Sequence, residues 1–293
     1  MSGVLWGLCG ALLIGGSDCI ARVTAQKVST SVLFTVIMGL STMVLSCWLA
    51  LHSDWPAWHA GAWTASAVSG ILNLVALFCL YRALARGPVA VASPAASTFT
   101  VLLIALNMLN GEPWTPQQLL SMALVFVGVL FLARPTEVDQ DSSHYDARWL
   151  QITAALGLAT AIAVSVRMFL AQEAAEVLGA LHALYLNRLF ALLGACLLLI
   201  YGLRRGAKKL FWPTGKIRIL VLLQAIFESA ALGAFLIGST QGGRVATTIG
   251  FAAFAAATAL FARFFLGERI GWTRGIWILL ISMGIVSAMQ VSA

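Results

Sequence analysis

Leu109-Asn110-Gly111-Glu112-Pro113 closes one apolar run and precedes another that contains Gly128; Leu266-Gly267-Glu268-Arg269 does the same near the end of the chain, ahead of Gly284. Gly111, Glu112 and Gly128 therefore recur at Gly267, Glu268 and Gly284 with a shift of 156 residues, and Gly87 recurs at Gly242 with a shift of 155. Five apolar runs of membrane length precede the midpoint and five follow it. A repeat with an odd number of spans must lie upside down relative to its partner, which is the architecture of alternating-access transporters. The expected fold is an all-α integral membrane protein, ten transmembrane helices arranged as two inverted five-helix repeats.

Composition agrees. Of 293 residues, 60% are hydrophobic and only 10% charged, and mean hydropathy is +0.92. Soluble domains carry about 25% charged residues, so this apolar surface is expected to face lipid. The runs place spans at 3–22, 30–50, 63–84, 89–109, 116–133, 149–173, 180–203, 216–238, 243–265 and 271–290. The first repeat then covers 1–133, a polar cytoplasmic linker 134–148, and the second repeat 149–293. Met1-Ser2-Gly3 lacks the basic start of a secretory signal, so the first run is expected to stay as a span. Cys9, Cys19, Cys47, Cys79 and Cys196 lack paired spacing and read as small buried hydrophobes, with no metal or other cofactor implied.

The formal charge of +7 is unevenly spread. Loops after spans 1, 3, 5, 7 and 9, with the adjoining helix ends, hold fifteen of the 18 Lys and Arg residues, including Arg204-Arg205 and Lys208-Lys209. The opposite side holds Arg244 with Asp54, Glu112, Glu173 and Glu176. By the positive-inside rule the basic side is cytoplasmic and both termini are periplasmic. The basic clusters read as membrane-surface features rather than as nucleic-acid contacts. Trp48, Trp55, Trp58 and Trp63 on one side, and Trp149, Trp212 and Trp272 on the other, read as interfacial anchors.

The doubled Gly-Glu ends of spans 4 and 9 and the Arg86-Gly87-Pro88 turn into span 4 resemble the drug/metabolite transporter superfamily, specifically its ten-helix EamA type. Within it the chain is similar to the YddG-type aromatic amino-acid exporters. The resemblance covers essentially the whole chain and implies a central cavity lined mainly by spans 1, 3, 4, 6, 8 and 9, with spans 5 and 10 as peripheral supports.

Charges at bilayer depth cost roughly 2.5–3.5 kcal/mol on insertion scales unless they face a partner or a wet cavity. Asp18, Arg167, Arg188 and Glu228 lie well inside spans, and a shift of 155 carries Asn73 onto Glu228. Equivalent mid-membrane positions in two inverted halves are where a substrate site belongs; an interhelical hydrogen bond locking the halves is the alternative. Arg167 and Arg188, with His182 and Asn187 nearby, fall toward the outer half. There they read as a gate or carboxylate contact, or as scaffold partners of Glu173 or Glu176. Asp18 reads as an i,i+4 partner of Arg22. Ser93 and Thr248 correspond under the repeat, and Ser93, Pro94 and Ser97 place hydroxyls and a kink in span 4. Phe78, Tyr81 and Phe251 supply aromatic lining. The substrate-binding set expected is thus Asn73, Glu228, Phe78, Tyr81, Ser93, Pro94, Ser97, Thr248 and Phe251.

These features describe a transporter of the bacterial inner membrane, working as a monomer on a small-molecule substrate in the lipid bilayer, without nucleic acid. Export of small amphipathic metabolites, aromatic or bulky apolar amino acids above all, is the expected function. A cationic drug exporter, for which Glu228 would be the counter-charge, and a scaffold without transport are the alternatives. No HExxH, Gly-rich phosphate loop or Ser/His/Asp set appears, so an enzyme is not expected.

Overall fold

The computed structural model describes residues 3–86, 96, 98–132, 147–204, 210–266 and 272–291. Among them the chain is all-helical: α1 Gly3–Thr24, α2 Thr30–His52, α3 Ala60–Arg86, α4 Phe99–Leu109, α5 Pro116–Leu132, α6 Ala147–Leu178, α7 Ala180–Arg204, α8 Lys216–Gly242, α9 Arg244–Phe251, α10 Phe254–Leu266 and α11 Trp272–Val291. Six stretches are long and apolar enough to cross a membrane, within α1, α2, α3, α6, α7 and α8, and shorter apolar helices accompany them.

Polarity is distributed inside out. Met43, Val44, Ile71, Leu197, Ile226 and Leu279 point outward, while Ser66, Ser69, Asn107, Gln172 and Asn187 are buried between helices. Such a surface suits hydrocarbon, where packing and interhelical hydrogen bonds rather than hydrophobic burial join helices. Small residues let the backbones close up. A side chain at Gly70 of α3 would stand 2.8 Å from the Ala191 nitrogen of α7, and one at Gly15 of α1 would stand 2.8 Å from the Thr258 nitrogen of α10. Polar ties add to this: the Asn187 amide donates to the Ser69 hydroxyl at 2.7 Å, and Ser69 donates to the Arg167 carbonyl at 2.8 Å.

The largest helix contacts are α3 with α6 and α1 with α8, followed by α5 with α11. At the last of these crossings a Cβ on Gly128 would lie 2.6 Å from Ile281, and one on Gly284 would lie 2.8 Å from Val125. Each glycine therefore makes room for the same point on the other helix, and α5 and α11 pair with one another.

Two expectations from the sequence change. The run 243–265, read as one span, is two helices, α9 and α10, parted at Ala252–Ala253. There the Ala253 N–H reaches the Gly250 carbonyl at 3.2 Å, a tightened i to i−3 bond, directly after the glycine whose missing side chain lets α9 sit against the Val4 backbone. The run 149–173 is also longer than expected, continuing as α6 to Leu178. The start of the run 89–109, with Ser93, Pro94 and Ser97, lies outside the described residues, as do the polar linker and the Gly267-Glu268 turn.

Candidate functional site

A cavity of about 180 Å³ lies where α1, α4, α6, α7, α8, α9 and α10 converge. Its charged lining comprises Asp18, Arg167, Arg188 and Glu228, and its aromatic lining Phe99, Phe251 and Phe254. Glu228 stands halfway along α8, so its carboxylate meets the guanidinium that α7 projects from Arg188. Nη1 of Arg188 lies 3.0 Å from Glu228 Oε1, and Nη2 donates to the Glu228 carbonyl at 2.9 Å. Arg188 is 1% exposed and Glu228 21%, so the pair is sealed on the arginine side and open to the cavity on the other. Nη1 also touches the Met38 sulfur at 3.3 Å.

Arg167 differs. It lines the same cavity from α6, its Nε is buried without a partner, and among the described residues it forms no ion pair. Opposite it the phenylalanines make an apolar wall, with Phe99 and Phe254 centroids 5.6 Å apart and Phe251 and Phe254 6.2 Å apart. Asp18 joins the lining, its carboxylate 3.5 Å from the Thr258 hydroxyl. Among the described residues the lining thus holds two guanidiniums, two carboxylates and three rings, and the guanidinium of Arg167 is in no ion pair.

Of the residues expected from sequence, Glu228, Phe251, Arg167 and Arg188 meet in this cavity. Of the others, the described Asn73, Thr248 and Phe78 do not join them, and Ser93, Pro94 and Ser97 lie outside the described residues. Asn73 is buried on α3, outside the lining, with its amide nitrogen unpaired. The Thr248 hydroxyl is 0% exposed and donates to the Arg244 carbonyl of its own helix at 2.8 Å. Phe78 faces outward into a separate lateral groove beside Arg82, whose guanidinium lies 5.0 Å over the ring. Tyr81 is on α3, and its side chain is outside the described set. His182 is bound at the loop edge by the carbonyls of Leu178 and Asp54, each at 2.9 Å. Among the described residues no span-3 side chain lines the cavity, and span 7, not among those the resemblance implied, supplies Arg188.

A second charged group closes one end of the bundle. Arg244, 1% exposed at the start of α9, is held by Glu112 at 3.2 Å, by Glu176 at 2.6 Å and by Glu173. The Asn110 amide donates to Glu173 at 2.9 Å, and the guanidinium lies 5.8 Å over the Phe169 ring. Two glycines make the cluster possible. Gly111, at φ +89°, turns the chain out of α4 so that Glu112 faces back, and Gly243, at φ +87°, reverses it between α8 and α9. Arg167 does not take Glu173 or Glu176; Arg244 does. The sequence carried one signal for this group, a single basic residue on an otherwise acidic side.

The EamA-like transporter family matches residues 1–134 of the chain. No curated protein matches it in sequence. Among solved structures 29 chains match; one, described only as "Crystal structure of protein", superposes with a TM-score of 0.81 at 17% identity, covering 99% of this chain and 97% of its own. At that identity the likeness shows a shared fold. Proteins of the matching family are transporters rather than enzymes; the match takes in the first 134 of this chain's 293 residues, and six of its described helices are long and apolar enough to cross a membrane.

Proposed function

We propose that this chain, EamA-like over residues 1–134, exports small amphipathic metabolites, aromatic or bulky apolar amino acids above all, by alternating access of its central cavity. The observation that carries this reading is the uncommitted guanidinium of Arg167, which shares one small cavity with three phenylalanines and two carboxylates. Arg167 suits a solute carboxylate, in two parallel hydrogen bonds. Asp18 and Glu228 suit its ammonium, and Phe99, Phe251 and Phe254 suit an aromatic side chain, for which offset or edge contacts are favourable. Sites for drug-sized ligands measure about 300–1,000 Å³; at about 180 Å³ this one fits a metabolite better than a nucleotide sugar.

The alternatives fit less well. For a cationic drug Glu228 would be the counter-charge, as it would for the ammonium of an amino acid, but such a solute brings no carboxylate to Arg167, whose charge repels it. A scaffold has no use for an unpaired cation at this depth, which costs several kcal/mol on any scale.

The ten-span, two-repeat architecture belongs to the same proposal. Its support is that α3 and α8 begin and end 156 residues apart, and that Gly128 and Gly284 make reciprocal contacts. So too do the periplasmic termini and a bacterial inner-membrane setting, which rest on the fifteen basic residues of one side. Ten helices around one cavity suffice for a working monomer. In liposomes, counterflow of labelled phenylalanine is expected, with none of a lipophilic cation. Flux of the cation alone would replace the substrate class, and flux of neither would favour the scaffold. A reporter fused at Ala293 and active only in the cytoplasm would reverse the orientation.

A further inference from the structure

Three helices run from the central cavity to the Arg244 cluster. On α6, Met168 lines the cavity, Glu176 binds Arg244, and Gln172 stands four residues from each. That spacing keeps all three on one stripe of the helix. On α4, Phe99 lines the cavity, Leu103 and Asn107 follow at four-residue steps, and Asn110 bonds to Glu173. On α9, Phe251 lines the cavity and Arg244, seven residues or about two turns away, centres the cluster.

Asn107 and Gln172 thus lie between the same two landmarks, and both are 0% exposed. In each, the amide nitrogen and the amide oxygen lack any hydrogen-bond partner among the described residues. On the same helices, by contrast, buried hydroxyls find partners: Ser165 donates to the Ala161 carbonyl, Thr247 to Gly243 and Thr248 to Arg244. An unsatisfied buried polar group costs about 1–3 kcal/mol, and native proteins keep few. Two complete amides left unpaired, on stripes that join two charged groups, mark a place with a transient polar occupant.

We propose that Asn107 and Gln172 form an outer station on the solute's route, where their amides hydrogen-bond to its carboxylate and ammonium ends once the Arg244 cluster parts. Each amide offers two N–H donors and an acceptor oxygen, so the two together serve both ends of a zwitterion. Leu103, 0% exposed one turn from Asn107 toward the cavity, makes the apolar step between cavity and station. The identity of the solute rests on the transport reading above; the existence of the station does not.

Asn107→Leu and Gln172→Leu, in the full chain reconstituted with labelled phenylalanine as probe, test it. Both variants should melt at or above the wild-type temperature, because an unpaired buried group is gone, while counterflow falls about tenfold or more with the loss of a bond to a charged group. Wild-type counterflow in both, or lost counterflow together with a lowered melting temperature, overturns the station. A second measurement needs no solute. With Cys9, Cys19, Cys47, Cys79 and Cys196 replaced by Ser, Asn107→Cys and Gln172→Cys should react with a membrane-impermeant thiol reagent about tenfold faster once Arg244→Gln is added, a shift of about 1.4 kcal/mol in opening. Equal rates overturn the station. Faster labelling without phenylalanine flux in the wild type upholds the station and overturns the amino-acid reading instead.

Discussion

The central cavity and the Arg244 cluster use the same residue types in opposite proportions. In the cavity, Arg188 is committed to Glu228 and Arg167 is left over; in the cluster, one arginine is shared among Glu112, Glu173 and Glu176. The cavity therefore has a cation to offer a passing carboxylate. The cluster has nothing to offer while it is closed, since its guanidinium is fully buried by its own acids. On the function proposed above, one region would bind and the other hold shut, and four perturbations of decreasing size separate those roles.

The largest effect is expected at Arg188. Removing one partner of a buried ion pair costs about 3–5 kcal/mol, because the other charge is left behind. Arg188→Met should lower the melting temperature sharply, and adding Glu228→Leu to it should restore most of the loss. A double variant as unstable as the single would show that Arg188 matters for packing against Met38 rather than for neutralising Glu228.

Next comes Arg167, where stability and transport should part company. Arg167→Gln removes no ion pair of the described residues and takes away a buried charge, so its melting temperature should equal or exceed that of wild type. Counterflow of phenylalanine should fall about 10- to 100-fold, the worth of a hydrogen bond between charged partners. Glu228→Gln, which keeps the shape of the Arg188 contact, should reduce flux by less than Arg167→Gln. A reversed order would make Glu228 the principal contact for the solute.

These two regions were unequally legible in the sequence. Arg167, Arg188 and Glu228 stood out because a charge within an apolar run needs a reason, and all three meet in the cavity. Helix spacing pairs Asp18 with Arg22, whose side chain is outside the described set; the place of Asp18 in the lining depends on α1 crossing α8 and α10, which no local pattern encodes. Asn73 was drawn in by its repeat-related position, but such positions need not line the same cavity once the halves have diverged in sequence. The Arg244 cluster joins four residues from three distant segments, brought together by two glycine turns, so only the lone arginine hinted at it. The break at Ala252–Ala253 has no proline to announce it, and its cause is a contact with α1.

At the cluster, Glu173→Gln probes the closed state more gently than Arg244→Gln. It weakens one ion pair to Arg244 and changes the acceptor of Asn110, leaving Glu112 and Glu176 in place. Labelling of Asn107→Cys, buried while the cluster is closed, by an impermeant reagent should rise a few-fold, in keeping with the roughly 0–1 kcal/mol of a partly exposed pair. Unchanged labelling would mean that the acids do not hold this end shut, and the contrast between a binding region and a closing region would fail.

The smallest effect, and the one with a sign, is at Glu112 in the turn after α4. Burial raises its carboxyl above the ordinary 4.5; Arg244 opposes the rise, and Glu176 and Glu173 add to it. In an opened cluster Glu112 faces water and returns to the ordinary value, so the closed form holds its proton more tightly than the open one. The contribution of this proton to closure is then fully present below the ordinary value and is lost as pH rises through the raised one. Labelling of Asn107→Cys should accordingly increase with pH across that window, once the pH dependence of the thiol itself is subtracted with an exposed control cysteine placed at His52. Glu112→Gln fixes the neutral form and should flatten the response while leaving the cavity, and hence the solute preference, untouched. A response that survives Glu112→Gln would move the titration to Glu173 or Glu176, the remaining carboxylates facing Arg244. Labelling that falls with pH would mean that ionised Glu112 tightens the cluster, its attraction to Arg244 outweighing the cost of burial.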